Sequence, residues 1–247
     1  MPLTEHPDYG IVLIGVLTLA MAYVLLPRVY LQHQKRRLAR LCRQRNAIAI
    51  TFDDGPGRLL TLSVVQRLQQ AQVPATFFLL GRNVRGNEDL VDVIRDRGHE
   101  IGSHGDEHVH HVYTLPWTGI VDTWQAWRRL RELTGRDAHT IAFRPPFGKL
   151  NLLSLAYVLW HRTPVVMWTH DSYDTRLGAD LPPEALTEQL RKAGGGVVLL
   201  HDFDRSIADA DKRVLAKLEA VLDLQREGYK FLRVSELLGL PAAPPAS

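Results

Sequence analysis

The sequence predicts an α/β protein, an irregular (β/α) barrel of about seven strands, preceded by one transmembrane helix. Short apolar, partly β-branched runs alternate with helical segments after residue 45, which is typical of a parallel sheet with helices outside it. Before them lies a run without charge, residues 9–27, long enough to cross a bilayer. The single cysteine, Cys42, excludes an internal disulfide framework and a cysteine-based zinc site.

The elements are assigned from hydrophobic pattern and turn signals. The predicted strands are residues 47–52, 75–80, 99–104, 139–143, 164–168, 196–201 and a short strand near 230. The predicted helices include residues 60–72, 87–98, 118–134, 182–193 and 210–227. Residues 46–238 therefore form one predicted domain, and the Pro/Ala-rich residues 239–247 form a predicted disordered tail.

The N-terminal segment divides by charge. Residues 1–27 carry only two charged groups, Glu5 and Asp8, and form the predicted anchor, with its helix at about 9–26. A retained anchor is favoured over a cleaved signal peptide because no cation precedes the apolar run, and over a buried core helix because such helices rarely avoid charge for this long. The sequence therefore predicts a single-pass protein of the cell membrane.

Residues 28–45 form a basic juxtamembrane segment with seven cations and no carboxylate. The positive-inside rule then places the N-terminus outside and the domain in the cytoplasm. The segment is expected either to lie on the anionic inner leaflet or to be a solvated basic linker. The pI of 9.1 belongs to this segment and not to the domain, so basicity predicts no nucleic-acid partner. The seven cations are Arg28, Lys35, Arg36, Arg37, Arg40, Arg43 and Arg45.

Unusual polar clusters follow five of the predicted strands. Because the carboxyl ends of parallel strands meet at one end of a barrel, they are expected to form one site. The clusters are Asp53-Asp54-Gly55-Pro56, His104 with His108, Arg144-Pro145-Pro146-Phe147-Gly148, Asp171 with Asp174, and His201-Asp202.

Two histidines four residues apart can bind one ion, and a carboxylate would be the third ligand. His104 and His108 with an aspartate fit a catalytic divalent metal, most simply zinc. Of the adjacent Asp53 and Asp54, one can bind the metal while the other acts as base toward water, and His201 can donate a proton to the leaving group. The neighbouring His110 and His111 are expected at the surface.

In this order, TFDDGP, H-x-x-x-H, RPPFG, W-x-x-D-x-x-D and LLHD resemble the polysaccharide deacetylase family with its NodB-homology domain. The resemblance covers about residues 46–238. It implies a distorted (β/α) barrel and a metal-dependent carbohydrate esterase, commonly with zinc, that removes N-acetyl groups from amino sugars.

Carried over by motif, the resemblance implies a role for each of eight residues. Asp53 resembles the general base, Arg144 the residue that orients it, His201 the general acid and Asp171 the carboxylate that orients His201. Asp54, His104 and His108 resemble the metal ligands, and the backbone N–H of Phe147 resembles an oxyanion donor. Asp174 and Asp202 are expected only to form loop hydrogen bonds.

Three features depart from the family. Gly105 stands where Ser or Thr is frequent, which removes a loop hydrogen bond. Thr175 stands where many members have a Trp that lines a sugar groove, and the charge rule places the domain in the cytoplasm. The last two suggest a membrane-linked substrate, such as an N-acylated sugar on a polyprenyl phosphate at the inner leaflet.

Three alternatives remain at this point. An extracytoplasmic deacetylase would act on peptidoglycan, chitin-like or exopolysaccharide chains. A catalytically inactive carbohydrate-binding protein would require loss of a base, ligand or acid, and none is lost. A non-haem iron oxygenase would use the two histidines and one carboxylate but would leave RPPFG unexplained.

Overall fold

The computed structural model describes residues 9–176, 181–205 and 209–240. These residues form an α/β fold of six strands and nine α-helices. The strands are β1 (Ala47–Asp53), β2 (Thr76–Leu79), β3 (Glu100–Ser103), β4 (His170–Asp171), β5 (Gly196–His201) and β6 (Lys230–Phe231). The helices are α1 (Tyr9–Arg45), α2 (Leu60–Ala71), α3 (Gly81–Val84), α4 (Glu88–Asp96), α5 (Thr118–Thr134), α6 (Leu152–Trp160), α7 (Pro183–Ala193), α8 (Ala210–Asp223) and α9 (Val234–Leu238).

The sheet is parallel throughout, in the order β3-β2-β1-β5-β4, and β6 pairs with the beginning of β1. Every residue of β1 is buried, as expected for a strand covered on both faces. Ile48, Ile50 and Phe52 pack in one apolar cluster with α2, α4 and α8, while Ala49 joins a second cluster on the other face. The predicted fold class is confirmed.

Two predicted strands, 139–143 and 164–168, are wrong. Each contributes one bridging residue, because Phe143 pairs with Ser103 on one side and with Val165 on the other. The bridge is closed by hydrogen bonds such as that from the Phe143 N–H to the Pro164 oxygen, 2.8 Å. Prolines at 145, 146 and 164 lack the N–H that a longer ladder requires. The barrel is therefore irregular on this side.

Helix α1 is continuous through Pro27, from the charge-free run into the basic segment. An 18-residue window of α1 has a mean hydropathy of 2.3 and no buried residue, so it meets the length and composition criteria for a membrane span. Further along the helix, Leu31, Leu38 and Cys42 are buried in the second apolar cluster. The basic segment is therefore not a solvated linker, because its apolar face is buried against the domain.

Two of the cations also bind the domain. The Arg43 side chain donates to the backbone carbonyl oxygen of Ala193 at 3.1 Å, and the Arg45 side chain donates to the backbone carbonyl oxygen of Glu236 at 2.7 Å. The end of α1 is thus held to the domain by hydrogen bonds as well as by its buried leucines. The predicted tail, 239–247, lies outside the described residues from 241 onward.

Candidate functional site

The site lies where the parallel strands end. The register of β1 with β5 places Asp53 directly beside His201. The chain after β3 brings His104 to the same end, with its N–H bonded to the Leu79 oxygen at 2.9 Å. Arg144 follows the Phe143 bridge and joins them, its N–H bonded to the Ser103 oxygen at 2.9 Å. The sequence prediction that these polar clusters meet at one end of the barrel therefore holds in the fold.

Asp54, His104 and His108 form a cluster suited to a metal ion, called the cation cluster from here on. One ligand atom of each residue lies within 4.8 Å of the others. Asp54 Oδ1 lies 3.5 Å from His104 Nε2 and 3.4 Å from His108 Nε2. These distances leave room for a cation between the atoms rather than a direct hydrogen bond. Asp54 Oδ1 is buried and has no hydrogen-bond partner among the described residues, as expected for an atom that a metal would satisfy.

The two imidazoles are neutral, which is the form that binds metal. Burial lowers the pKa of His104 to about 3 and also lowers the pKa of His108. His104 Nδ1 lies 2.8 Å from the Arg144 carbonyl oxygen, so this nitrogen donates and Nε2 is left to bind the cation. The donor set of two imidazoles and one carboxylate fits zinc or a similar divalent ion.

Asp53 lies against this cluster and is held by Arg144. Arg144 Nη1 donates to Asp53 Oδ1 at 2.7 Å and to Thr51 Oγ1 at 2.8 Å, and the guanidinium is fully buried over the Phe78 ring. The other oxygen, Asp53 Oδ2, lies 3.7 Å from His104 Nε2. Burial raises the pKa of Asp53, and the Arg144 charge opposes that rise. One carboxylate oxygen is thus fixed, and the second faces the cation cluster.

The carboxylate that holds His201 is Asp174, and the prediction that Asp171 would hold it is wrong. His201 Nδ1 donates to Asp174 Oδ1 at 2.8 Å, and the His201 backbone N–H donates to Asp174 Oδ2 at 3.0 Å. Asp171 instead accepts the Tyr173 N–H at 2.9 Å. Asp171 still belongs to the two-residue strand β4, and the chain then turns at Tyr173, with φ 54°, which brings Asp174 back beneath His201.

The electrostatics of this pair favour a charged imidazole. Burial lowers the pKa of His201, but the charge and hydrogen bond of Asp174, together with the charges of Asp54 and Asp53, outweigh burial and raise the pKa to about 9. Burial raises the pKa of Asp174, whereas His201 and Arg205 lower it to about 2. Arg205 Nη2 lies 3.3 Å from Asp174 Oδ2 and completes the pair from below. His201 is therefore protonated at neutral pH, with Nε2 left for a substrate.

Phe147 lies beside the cluster on a tight loop. Its φ of 57° is in the left-handed region, and its half-exposed ring lies 4.3 Å from the ring of His108, centroid to centroid. The ring of His110 also lies here, tilted by 30° and 5.0 Å from the Phe147 ring, centroid to centroid. His111, expected at the surface, is fully buried, and burial lowers its pKa to about 4. The loop thus puts an aromatic wall next to the cluster.

Sequence reasoning missed the carboxylate that shapes the histidine loop. Gly105 has φ 88°, and a Cβ there would lie 2.2 Å from Asp122 Oδ2. Asp122 Oδ1 accepts the Glu107 N–H at 2.7 Å, so Asp122 supplies a loop hydrogen bond where a residue-105 hydroxyl is absent. Nothing in the sequence near 122 signals this role, because Asp122 lies on α5, remote from the motifs. Asp174 was visible as the second aspartate of W-x-x-D-x-x-D.

Comparison with known proteins points to one family. The family model described as polysaccharide deacetylase matches residues 40–159. A peptidoglycan-N-acetylglucosamine deacetylase of Bacillus cereus is 32% identical over 195 residues, covering 77% of this chain and 87% of that protein. A chitooligosaccharide deacetylase of Bradyrhizobium is 30% identical over 200 residues, covering 77% and 90%.

Solved structures share the fold. A peptidoglycan N-acetylglucosamine deacetylase superposes with a TM-score of 0.71 at 24% identity, covering 81% of this chain and 91% of that one. A family 4 carbohydrate esterase from Streptomyces lividans superposes with a TM-score of 0.66 at 24% identity, covering 80% and 97%. Both likenesses support the irregular barrel described above.

Proposed function

The chain belongs to the polysaccharide deacetylase family and is a hydrolase of amide bonds, a carbohydrate N-deacetylase; we propose that it removes an N-acyl group, most simply N-acetyl, from an amino sugar at a membrane surface. The observation that carries the chemistry is the placement of Asp53. Its Oδ1 is held by Arg144 at 2.7 Å, and its Oδ2 is 3.7 Å from a nitrogen of the cation cluster. A carboxylate so fixed can take a proton from water beside the acyl carbon.

In this proposal Asp54, His104 and His108 hold a divalent metal, with zinc the simplest choice for the donor set. When bound, the metal supplies Lewis-acid chemistry, polarising the acyl oxygen and making water more acidic. Arg144 is the positioning residue that keeps Asp53 oriented. The backbone N–H of Phe147 adds a hydrogen bond to the oxygen on which negative charge develops.

His201 completes the reaction on the other side. Its pKa of about 9 keeps it protonated near neutral pH, so it can deliver the proton that the departing amine requires. Asp174 is its positioning residue and keeps Nδ1 occupied. Water supplies the hydroxyl of the released acid and gives a proton to Asp53, and the amine leaves with the proton from His201.

We propose further that α1 anchors the enzyme and that the sugar is linked to a lipid. The unburied apolar run of α1, in a helix that continues into the domain, supports a domain held at the membrane surface. Seven cations follow the run, and the positive-inside rule then places the domain in the cytoplasm. A substrate embedded in the inner leaflet would meet the site without diffusing away from it.

The experiment compares two substrates with the full, zinc-loaded chain in lipid nanodiscs. Acetate release from an N-acetylated sugar on a polyprenyl phosphate is measured beside release from soluble chitin oligomers. The proposal expects a higher kcat/KM for the lipid-linked sugar. A preference for the soluble oligomers would contradict it, and so would a topology reporter fused at Ser247 that is found outside the cell.

The second candidate is an extracytoplasmic deacetylase of peptidoglycan or a chitin-like polymer. It is favoured by the similar proteins, whose names give peptidoglycan N-acetylglucosamine and chitooligosaccharides as substrates. It predicts an external reporter at Ser247 and acetate release from isolated cell-wall glycan. The two candidates share the chemistry of the site and differ in the membrane face and in the carrier of the sugar.

A further inference from the structure

A cavity of about 450 Å³ lies between α1 and the loop that carries Phe147. Its α1 wall includes Val24, Arg28 and Lys35, and its other wall includes Phe147 and Lys149. The volume falls within the range of small-molecule sites, roughly 300–1,000 Å³. Because Val24 belongs to the charge-free run, the cavity extends to the level at which α1 would leave the bilayer.

All of the charged side chains that line the cavity are basic. Arg28, Lys35 and Lys149 come from two different elements, and no carboxylate lines the cavity among the described residues. None of these three cations forms a salt bridge with a described residue, although Lys149 Nζ lies 5.5 Å from the centroid of the Tyr113 ring. Like charges around one cavity repel one another, and a bound anion would offset that repulsion. Lys and Arg are the side chains that proteins use for phosphate.

Most of the remaining lining is apolar, and Gln32 and Tyr113 are its uncharged polar side chains. Leu31, Leu150 and Met167 line the cavity and are otherwise buried in the domain, and Val24 lies toward the membrane end of α1. Such a wall complements a hydrocarbon chain and not a hydrated sugar polymer. The larger cavity of about 580 Å³ beside α5 and α6 has acidic and basic residues together and shares no residue with the catalytic site.

The cavity adjoins the catalytic site through Phe147. The Phe147 ring lines the cavity and lies 4.3 Å from the ring of His108, which belongs to the cation cluster. Gly148, beside it, is packed so closely that a Cβ would lie 2.6 Å from the Trp168 ring. Phe147 therefore adjoins both the cavity with its basic side chains and the cation cluster to which His108 belongs.

We propose that this cavity binds the phosphate and the first part of the hydrocarbon chain of a lipid-linked amino sugar. Arg28, Lys35 and Lys149 contact the phosphate, the apolar wall receives the chain, and the sugar extends past Phe147 to the cation cluster. The assignment rests on the proposed deacylase function and makes its substrate class specific: a single amphiphile with an anionic head and a sugar attached through it.

The test measures binding without turnover. The full chain in detergent micelles is titrated by calorimetry with farnesyl monophosphate, with inorganic phosphate, and with farnesol, which has the chain but no charge. We expect farnesyl monophosphate to bind most tightly. The double variant Arg28→Gln, Lys35→Gln should weaken its binding by about tenfold or more, since it removes two charged contacts.

The matched control is Arg36→Gln, Arg40→Gln, which removes the same charge from the same helix outside the cavity. It should bind farnesyl monophosphate as the wild-type chain does. Unchanged binding by the Arg28, Lys35 variant, an equal loss in the control, or equally tight binding of inorganic phosphate or of farnesol would overturn the assignment. Acetate release from the N-acetylated sugar on polyprenyl phosphate and from chitin oligomers, measured on the same zinc-loaded preparations, separates the two proposals. Release without probe binding overturns the cavity assignment alone, and probe binding without release from either substrate overturns the proposed deacylase.

Discussion

Asp174 holds His201 by two hydrogen bonds, one to the ring and one to the backbone of the same residue. The distances are 2.8 Å from Nδ1 to Oδ1 and 3.0 Å from the N–H to Oδ2. Because one carboxylate binds both groups, it fixes the orientation of the His201 ring and also favours the protonated form of that ring. Asp171, three residues earlier, instead accepts the Tyr173 N–H and closes the turn there.

The first prediction separates these two aspartates. Asp174→Asn removes the charge that raises the pKa of His201, so burial lowers that pKa from about 9 and the general acid loses its proton at lower pH. Deacetylation should fall by about 10²–10⁴-fold, and the alkaline limb of the kcat profile should move to lower pH. Asp171→Asn is the control and should retain a near-native rate and profile. Equal losses in the two variants would contradict the pairing.

The second prediction concerns Asp53. Asp53→Asn cannot accept a proton, so turnover should fall by about 10²-fold or more, while zinc content stays equal to wild type because the three ligands are untouched. The variant also leaves the fully buried Arg144 guanidinium without its negatively charged partner, which costs about 3–5 kcal/mol of the free energy of unfolding. Rates are therefore compared below its melting temperature, with metal content measured on the same samples.

A double variant separates stability from chemistry at this pair. Replacing Arg144 by Met in the Asp53→Asn background removes the unpaired charge, so the melting temperature should recover. Activity should not recover, because the proton acceptor is still missing. Recovery of turnover together with stability would mean that Asp53 acts only in folding.

The parts of the fold that the sequence predicts well are those set by burial. Helix α5 and strand β5 occupy the predicted residues, 118–134 and 196–201, because a continuous apolar pattern bounded by turn residues determines them locally. The strands predicted at 139–143 and 164–168 carry the same kind of pattern. Their pairing depends on which N–H groups are available on neighbouring segments, and the flanking prolines remove several of them.

In the candidate site, too, some features follow from the local sequence and others depend on tertiary structure. The cation cluster was predictable because its three ligands follow strands whose ends must meet. The choice between Asp171 and Asp174 was not, because it depends on a positive φ at Tyr173 that no local pattern specifies for a non-glycine residue. Asp122 and the cavity beside Phe147 depend on helix packing, which brings α5 and α1 against loops distant in sequence.

The third prediction tests whether α1 belongs to the folded core of the domain. Leu38 is 1% exposed and packs in the second apolar cluster, so Leu38→Ala should reduce the free energy of unfolding by about 2–5 kcal/mol. Thermal melting of the full chain in detergent measures the loss. Leu62→Ala on α2 is the matched control, because Leu62 is 41% exposed and its truncation removes far less contact. Melting of the Leu38 variant at the wild-type temperature would show that α1 only tethers the domain.

The fourth prediction concerns stability and pH at Asp202, whose carboxyl accepts the Thr61 hydroxyl at 2.6 Å and has a second buried oxygen without a partner among the described residues. Burial raises its pKa to about 7 from an ordinary value of 3.8. Because the folded pKa lies above the unfolded one, the folded chain binds the proton more tightly, and the stability this gives is lost as pH rises from about 4 through 7.

Asp202→Asn keeps an acceptor for Thr61 but does not titrate, so its melting temperature relative to wild type should be higher at pH 8 than at pH 5. Thermal unfolding at the two pH values measures the change in melting temperature, with Asp209→Asn as an exposed control. If the melting temperature of Asp202→Asn differs from that of wild type by the same amount at both pH values, Asp202 is already ionised in the folded chain at pH 5.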